Sequence, residues 1–256
     1  MRPLPQILAD IDSVAHPVSC LATDYPADAL IPRHAHAKHQ LVYAVRGVMV
    51  VQTAAGLWIV PPNRAIWMPA GTEHATRCIG AVQMRSVYVR PTSARRLPRQ
   101  SQVVNVSPLL RELIQAAFSV QLPYAKNSRD ERLMRLLLDE LHALPTLPLH
   151  LPQPADPRLC VIAEHLRRQP GDPATLAAWA AQLGIDVKTV QRLFYRETGM
   201  TFGQWRTQVR LLRALERLAT GAKIIDVALE LGYDSPSAFA TMFKRQFGQT
   251  PSQFFK

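Results

Sequence analysis

Three histidines lie close together in the stretch HAHAKHQ, which begins at His34. Side chains of an extended chain alternate between two faces, so His34, His36 and Gln40 share one face. His39 then faces the other way, and His74 would approach from a facing strand. Three imidazoles can hold a divalent transition metal with an open position, or form the polar lining of a small-molecule pocket. Ordinary strand packing is the third interpretation.

The composition limits what the rest of the chain can be. Its 256 residues, 48% of them hydrophobic, suit two or three folded modules. No run approaches the roughly 18 apolar residues of a membrane span, and the start, MRPLPQILADIDSVAH, does not have the pattern of a signal peptide. Cys20, Cys78 and Cys160 are too scattered for a disulfide framework or a cysteine-based zinc cluster. We therefore expect a cytoplasmic protein, and the net charge of +11 favours nucleic acid as a partner.

Three segments follow from the distribution of residue types. Residues 1–97 contain short runs rich in Val, Ile, Tyr and Trp, which predict a β-barrel or sandwich. Residues 98–155 hold two helical stretches, 107–120 and 129–144, and then most of the proline-rich run LPTLPLHLPQPADP, which predicts an extended tether. Residues 156–256 contain only short helical patterns. The expected fold class is α+β and multidomain, with an all-α C-terminal domain.

The second helical stretch of the middle segment carries a broad leucine stripe. Its members are Leu133, Leu136, Leu137, Leu138 and Leu141. Such a stripe requires a partner surface. The barrel of the same chain and a second copy of the protein, which would make a homodimer, are both compatible with the pattern.

The C-terminal segment contains an internal repeat. LAAWAAQLGIDVKTVQRLFYRETGMTFGQW begins at Leu176, and IIDVALELGYDSPSAFATMFKRQFGQTPSQF begins at Ile224. Each unit has the pattern helix, glycine-containing turn, helix, which is the helix-turn-helix arrangement. Asp186 and Ser235 are the expected N-caps of the second helices. The second helix of such a unit can enter the major groove of DNA.

The two second helices have different outward faces. In the first, Val187, Val190 and Phe194 are expected to point inward. The outward positions i, i+3, i+4 and i+7 hold Lys188, Gln191, Arg192 and Tyr195. Lys and Arg can pair with guanine, and Gln with adenine. This helix therefore carries groups that can read base edges.

The second helix of the second unit is poorer in such groups. Its inward stripe is expected to contain Phe239, Phe243 and Phe247. Its outward side chains are Ser237, Ala240, Thr241 and Lys244. We therefore predict that the first unit sets most of the sequence preference. The full candidate DNA-contacting set is Lys188, Thr189, Gln191, Arg192, Tyr195, Arg196, Ser235, Ser237, Thr241 and Lys244.

A long helix over residues 201–221 is expected to separate the two units. At about 1.5 Å per residue it would be about 30 Å long, close to the roughly 34 Å of one duplex turn. Two reading helices could then enter successive major-groove segments. Four arginines of this helix are candidates for phosphate contacts, with solvation of the helix as the alternative role of the last two. They are Arg206, Arg210, Arg213 and Arg217.

The motifs QRLFYRETGMTF and VALELGYDSPSAFATMFKRQFGQTPSQF resemble those of the AraC/XylS family of bacterial transcription regulators. The resemblance covers most of the C-terminal segment. It implies a double helix-turn-helix domain fused to a sensing or dimerising module, with promoter DNA as partner and RNA polymerase as the partner of an activator. The family's base-contacting positions correspond to Lys188, Gln191, Arg192, Ser237 and Thr241. At Thr241 other members can carry a longer polar or basic group.

The segment 34–74 resembles a cupin, a small β-barrel common in front of this DNA-binding domain. The motifs are HAHAKHQLVYAVRG and PAGTEH. The resemblance implies a divalent transition metal as candidate cofactor on His34, His36 and His74, although Gln40 stands where metal-binding cupins usually have Glu. A metal-free effector pocket would use the same four residues, with Trp67 as a further wall residue.

The sequence thus predicts a transcription regulator that responds to a small molecule or metal, and not an enzyme. Two alternatives remain open. One is a metal-dependent cupin enzyme fused to a DNA-binding domain. The other is a constitutive DNA binder whose barrel is structural.

Overall fold

A computed structural model describes most of the chain. The described residues are 3–94, 97–147 and 149–254, with the backbone alone at residue 143. Pro148, part of the predicted tether, lies outside them. The described chain divides into two compact units. The first contains residues up to 53 and 58–149, and the second contains 54–57 and the residues from 150 onward.

An antiparallel sheet forms the first unit. Its strands are β1 (Val18–Tyr25), β2 (Leu30–His34), β3 (His39–Thr53), β4 (Gly56–Val60), β5 (Arg64–Met68), β6 (His74–Val89), β7 (Gln102–Asn105) and β8 (Thr146–Leu147). The strand order is β1-β6-β3-β5-β7-β8, with β2 also on β6 and β4 on β3. The two long central strands pair from His39 with Val89 to Gln52 with Ala75. This confirms the predicted β-rich N-terminal domain.

Two helices of the same unit pack on this sheet. They are α2 (Pro108–Ala117), capped by Ser107, and α3 (Arg129–Glu140), capped by Ser128. Leu110 and Leu137 are fully buried in one core with Leu41 of β3. Part of the leucine stripe is therefore covered by the sheet of the same chain. Leu136 remains 44% exposed.

A further helix, α1 (Leu4–Ser13), precedes the sheet and was not predicted from the sequence. Its apolar side chains recur at i, i+3, i+4 and i+7, which is the spacing of one helical face. They are Leu4, Ile7, Leu8 and Ile11. The periodicity could have identified this helix, although it is short, with Pro3 at its N-cap and Pro5 in its first turn.

The second unit is helical apart from β9 (His150–Pro152) and residues 54–57, and this confirms the predicted all-α architecture of the C-terminal domain. Its helices are α4 (Pro157–Arg168), α5 (Leu176–Gln182), α6 (Val187–Thr198), α7 (Phe202–Ala219), α8 (Ile224–Glu230), α9 (Pro236–Phe247) and α10 (Pro251–Phe254). The helix pairs α5–α6 and α8–α9 are the two predicted repeats. Ala180 and Ala228, small residues in the first helix of each pair, are both buried.

The described residues of the proline-rich run that precede α4 are extended, and some of them form strands. β8 lies at the end of the strand order, where a proline-containing segment needs hydrogen-bonding partners on one side only. β9 belongs to the second unit, and its Leu151 is buried. Among the described helices, none combines the length and the hydropathy that a membrane crossing requires.

Candidate nucleic-acid interface and effector pocket

Helix α6 is fixed at both ends by local interactions. The Asp186 carboxylate accepts hydrogen bonds from the backbone N–H groups of Lys188 at 2.8 Å and Thr189 at 3.3 Å. At the other end, Gly199 takes a left-handed φ of 68°, a conformation that costs glycine little. Phe194 is fully buried and packs edge-on against Trp205. These contacts determine which side of α6 faces outward.

The outward side of α6 carries nearly all the side chains expected there. The exposed ones are Lys188, Gln191, Arg192, Tyr195 and Arg196. Thr189 is half-buried, and Tyr195 is 63% exposed. Val187 was predicted to point inward, but it is 39% exposed because the first turn of α6 lies beyond the packed part of the helix. The exposed face thus combines three cations with an amide and a phenol.

Helix α9 repeats this local design. The Ser235 hydroxyl accepts a hydrogen bond from the Ala238 N–H at 3.1 Å, and Gly248 ends the helix with a φ of 73°. Phe239 and Phe243 are buried, while Phe247 is half-buried. The exposed outward residues are Ser237, Thr241 and Lys244, with Ser235 and Ala240 half-buried. The face of α9 therefore offers hydroxyl groups and one cation of the predicted set.

The arginines of α7 are engaged within the protein. Arg206 donates to the carbonyl of Ala174 at 3.0 Å, and Arg210 donates to the carbonyl of Pro170 at 2.8 Å. The other two both pair with Glu230 of α8. Arg213 does so at 3.1 Å and Arg217 at 2.7 Å. All four therefore have a structural role, because carbonyl and carboxylate acceptors from neighbouring elements reach them, and their contact with phosphates stays a prediction.

The three histidines of the first unit converge at one place. His34 and His74 are partners across β2 and β6, and their ring centroids lie 4.2 Å apart. The ring of His36 lies 4.9 Å from that of His34 and 5.5 Å from that of His74. One ligand nitrogen from each ring lies within 4.8 Å of the other two. The cluster has the composition and compactness of a metal-ligand set.

Backbone carbonyls orient two of these rings. His34 Nδ1 lies 2.7 Å from the carbonyl of Pro32, and His74 Nδ1 lies 2.9 Å from the carbonyl of Thr72. A carbonyl can only accept, so each Nδ1 carries the proton and donates it. Each Nε2 then keeps a free lone pair, which is the arrangement that surrounding groups impose on metal-binding histidines.

His36 and Gln40 carry buried polar atoms without protein partners. Neither ring nitrogen of His36 has a hydrogen bond, and Oε1 of Gln40 has none either. The Gln40 amide nitrogen donates to Ser86 Oγ at 3.2 Å and to Tyr88 Oη at 3.0 Å. Unsatisfied buried groups cost free energy, so these atoms are available to hydrogen-bond or coordinate an occupant of the cavity.

The histidines are neutral in this environment. Burial, with the nearby His34 and His74, lowers the pKa of His36 to about 3. Burial also lowers the pKa of His74 to about 4, and it lowers the pKa of His34. Neutral imidazoles can act as metal ligands or as partners for polar groups of a small molecule.

Helix α1 forms an apolar wall of the same cavity. The cavity is narrow and partly open to solvent. Its wall includes Leu4, Ile7, Leu8 and Ile11 of α1, and its polar side includes the histidine cluster with Gln40. Two contacts fix α1 to the segment that carries His36. Asp12 accepts from the Ala37 N–H at 3.2 Å, and Lys38 Nζ donates to the carbonyl of Val14 at 2.8 Å.

Trp67 does not join this cavity, and its assignment to the pocket is corrected. Trp67 pairs in register with Leu41, and Gln40 pairs with Met68. Because successive residues face opposite sides of a sheet, Trp67 lies on the side covered by α2. It is buried there, and its Nε1 donates to the carbonyl of Pro98 at 2.8 Å. His39 lies on this side too, stacked on Trp67 at 5.2 Å.

Comparisons with known proteins agree with this two-unit organisation. Residues 16–174 match the family described as an AraC-like ligand binding domain, and residues 179–256 match a helix-turn-helix domain. The chain belongs to the AraC family of transcription regulators. It is thus a regulator with an N-terminal ligand-binding domain and a C-terminal DNA-binding domain.

Several AraC-family proteins are similar to this chain. The HTH-type transcriptional regulator NimR of Escherichia coli is 35% identical over 223 residues, covering 87% of this chain and 81% of NimR. The regulatory protein SoxS of Escherichia coli is 36% identical over 94 residues, covering 36% of this chain and 84% of SoxS. The crystal structure of ToxT from Vibrio cholerae is 12% identical with a TM-score of 0.39, covering 94% of this chain and 98% of that one.

Proposed function

We propose that this AraC-family regulator reads its promoter chiefly through α6 and responds to an occupant of the cavity beneath α1. The proposed reading role of α6 rests on the difference between the outward faces of α6 and α9. Lys188, Gln191 and Arg192 stand exposed on α6, whereas the matching face of α9 presents Ser237 and Thr241. Bidentate groups on α6 can discriminate between bases, and short hydroxyls do so weakly. Thr189, Tyr195, Arg196, Ser235 and Lys244 complete the proposed contact set.

The reading role can be tested on the full-length protein. Duplexes enriched by selection from a random pool would serve as specific sites, and scrambled duplexes of equal composition as non-specific ones. Substitutions on α6 should reduce discrimination between them more than substitutions on α9. Equal effects from both helices would contradict the proposed ranking.

For the cavity, a divalent transition metal is the first candidate occupant. His34, His36 and His74 would hold it, since they offer neutral imidazoles within 4.8 Å of one another. The unpartnered Oε1 of Gln40 lines the same cavity, but an amide supplies no charge. A bound ion would supply a Lewis-acidic position for a small effector, while the apolar wall of α1 would contact the rest of it.

Elemental analysis tests the metal directly. The purified protein should contain near-stoichiometric metal that a chelator removes. His36→Ala should abolish the binding, and Gln40→Glu should strengthen it because a carboxylate adds charge to the site. His39→Ala is the matched control, since His39 lies on the other side of the sheet and should leave the metal content unchanged. A metal-free protein that binds an organic effector in this cavity would establish the second candidate occupant.

We propose a sensing rather than an enzymatic role for the first unit, because the families matched by both units are those of regulators. A turnover assay on the metal-loaded protein addresses the enzymatic alternative. A constitutive binder would show the same promoter affinity with and without occupants of the cavity.

Assembly and location are further parts of the proposal. The exposed Leu109 and Leu136 on α2 and α3 support a homodimer in solution, with residues 98–155 as the dimerising and signal-transmitting segment. Leu136→Glu should shift the sedimentation of a dimer toward that of the monomer. As a promoter-binding protein it would act in the cytoplasm and, if it activates, together with RNA polymerase.

A further inference from the structure

Residues 150–156, here called the linker segment, are joined to helices of the second unit. Trp205 of α7 is fully buried, and its Nε1 donates to the carbonyl of Pro152 at 2.9 Å. Arg167 of α4 donates to Oε1 of Gln153 at 3.0 Å. The linker segment is therefore attached through both a buried indole and a charged group.

The last residues of the linker segment are held by α6 itself. Glu197 lies in the last turn of α6, and its side chain is 17% exposed. Its Oε2 accepts hydrogen bonds from the backbone N–H groups of Ala155 and Asp156, both at 2.9 Å. These backbone donors hold the pKa of Glu197 below its usual range, so the carboxylate is charged at neutral pH.

An acidic side chain on a DNA-reading helix is unfavourable for affinity. Its Oε1 pairs with Arg196 at 3.3 Å, but the carboxylate still adds negative charge near the phosphates that Lys188 and Arg192 of the same helix would approach. The presence of Glu197 is explained by the way it holds α6 in position. By satisfying two neighbouring backbone donors at once, Glu197 fixes the end of α6 relative to the start of α4, whose N-cap is Asp156.

We propose that Glu197 is the positioning residue of α6 and that the linker segment is a working part of the DNA-reading unit. The linker segment and α6 then form one rigid piece, so the orientation of the reading face depends on residues that precede the helix-turn-helix repeat. This inference rests on the proposed reading role of α6. It assigns Glu197 no contact with DNA.

Two substitutions at Glu197 separate the effect of side-chain length from the effect of charge. Glu197→Gln keeps the length of the side chain and a carbonyl oxygen that can accept both N–H groups, but it loses the charge. Glu197→Asp keeps the charge but is too short to reach the linker segment. Asp226→Asn is the matched control, because it removes one negative charge from an exposed position of the same unit.

The measurement is the ratio of affinities of the full-length protein for a selected duplex and for a scrambled duplex. Glu197→Asp should lower this ratio roughly tenfold, in line with the loss of hydrogen bonds to a charged group. Glu197→Gln should lower it by less than about threefold. Asp226→Asn should raise both affinities alike and leave the ratio unchanged. Amide exchange at Ala155 and Asp156 should accelerate in Glu197→Asp and stay slow in Glu197→Gln.

Two results would overturn the inference. One is a ratio that falls in Glu197→Gln as far as or further than it falls in Glu197→Asp, which would mean that charge and not reach is what matters. The other is an unchanged ratio in both variants while the wild type discriminates. If the wild-type protein itself fails to discriminate, the reading role of α6 fails and the inference fails with it. Arg192→Ala, which leaves the linker segment untouched, shows which of the two claims has failed.

Discussion

The two helix-turn-helix units share their construction but differ in what they present. Both second helices begin at a side-chain cap, end at a left-handed glycine and bury a phenylalanine at the matching position, Phe194 or Phe243. Their outward faces differ. Helix α6 presents cationic and amide groups, whereas α9 presents mainly short hydroxyls. The requirements of folding therefore fix the inner side of each unit, while the outer side is free to specialise.

The turns within the two units differ as well. Gly184 and Gly232 both have positive φ, 65° and 71°. A Cβ at Gly184 would meet nothing within 4 Å, whereas one at Gly232 would lie 2.7 Å from the carbonyl oxygen of Gly171. The second turn is packed against the backbone of the loop before α5, and the first turn is open. The unit proposed to contribute less to base reading thus has the more closely packed turn.

The largest effect is expected from truncating the buried phenylalanine of each unit. It tests whether the buried sides of the two units contribute equally to stability. Phe194→Ala and Phe243→Ala should each lower the free energy of unfolding by about 3–5 kcal/mol, because each side chain is fully buried. Chemical denaturation of the second unit measures both. A loss below about 1 kcal/mol for either variant would show that the two cores are not comparable.

The next largest effect is expected from substituting the two turn glycines, Gly184 and Gly232. Gly184→Ala should lower the free energy of unfolding by roughly 1–2 kcal/mol, the usual cost of a left-handed conformation. Gly232→Ala should lower it further, because the new methyl group also collides with the Gly171 backbone. Thermal melting of the two variants gives the order directly. Equal melting temperatures would contradict the difference in packing.

On the outer side, Arg192→Ala should weaken binding to a selected duplex by about 1–3 kcal/mol and relax one base preference. Arg192 is exposed on α6, where its guanidinium can pair with a guanine. Fluorescence anisotropy on a panel of single-base variants measures the change. A uniform loss on all sequences would identify Arg192 as a phosphate contact instead.

The smallest expected effect belongs to Thr241→Ala on α9. Losing one hydroxyl should change the free energy of binding by less than about 1 kcal/mol, since such groups contribute weak hydrogen bonds. The same duplex panel applies. A loss larger than that of Arg192→Ala would reverse the proposed ranking of the two helices.

The sequence predicted local features well and distant contacts poorly. The caps Asp186 and Ser235 and the buried Phe194 follow from short-range patterns, which the chain carries in itself. The bonds that the α7 arginines make within the protein were not predicted, because their partners, such as Glu230, come from other elements. No periodicity within one helix reveals an acceptor that lies elsewhere in the chain.

The cavity beneath α1 shows the same difference between local features, which the sequence predicted, and distant contacts, which it did not. Strand alternation placed His34, His36 and Gln40 on one side, and register brought His74 to them. Trp67 was assigned to the wrong side because the register of β5 against β3 cannot be read from either strand alone. The wall formed by α1 was missed, since a short helix with a proline in its first turn and another at its N-cap gives a weak signal.

The central claim is that two tandem reading helices bind duplex DNA and that α6 supplies most of the discrimination. The most direct measurement is the affinity of the full-length protein for selected and scrambled duplexes over a range of salt concentrations. We expect the logarithm of the affinity to fall linearly with the logarithm of salt, by about 0.9 for each neutralised phosphate, with the selected duplex bound more tightly throughout. An affinity that is insensitive to salt, or equal for both duplexes, would contradict the account.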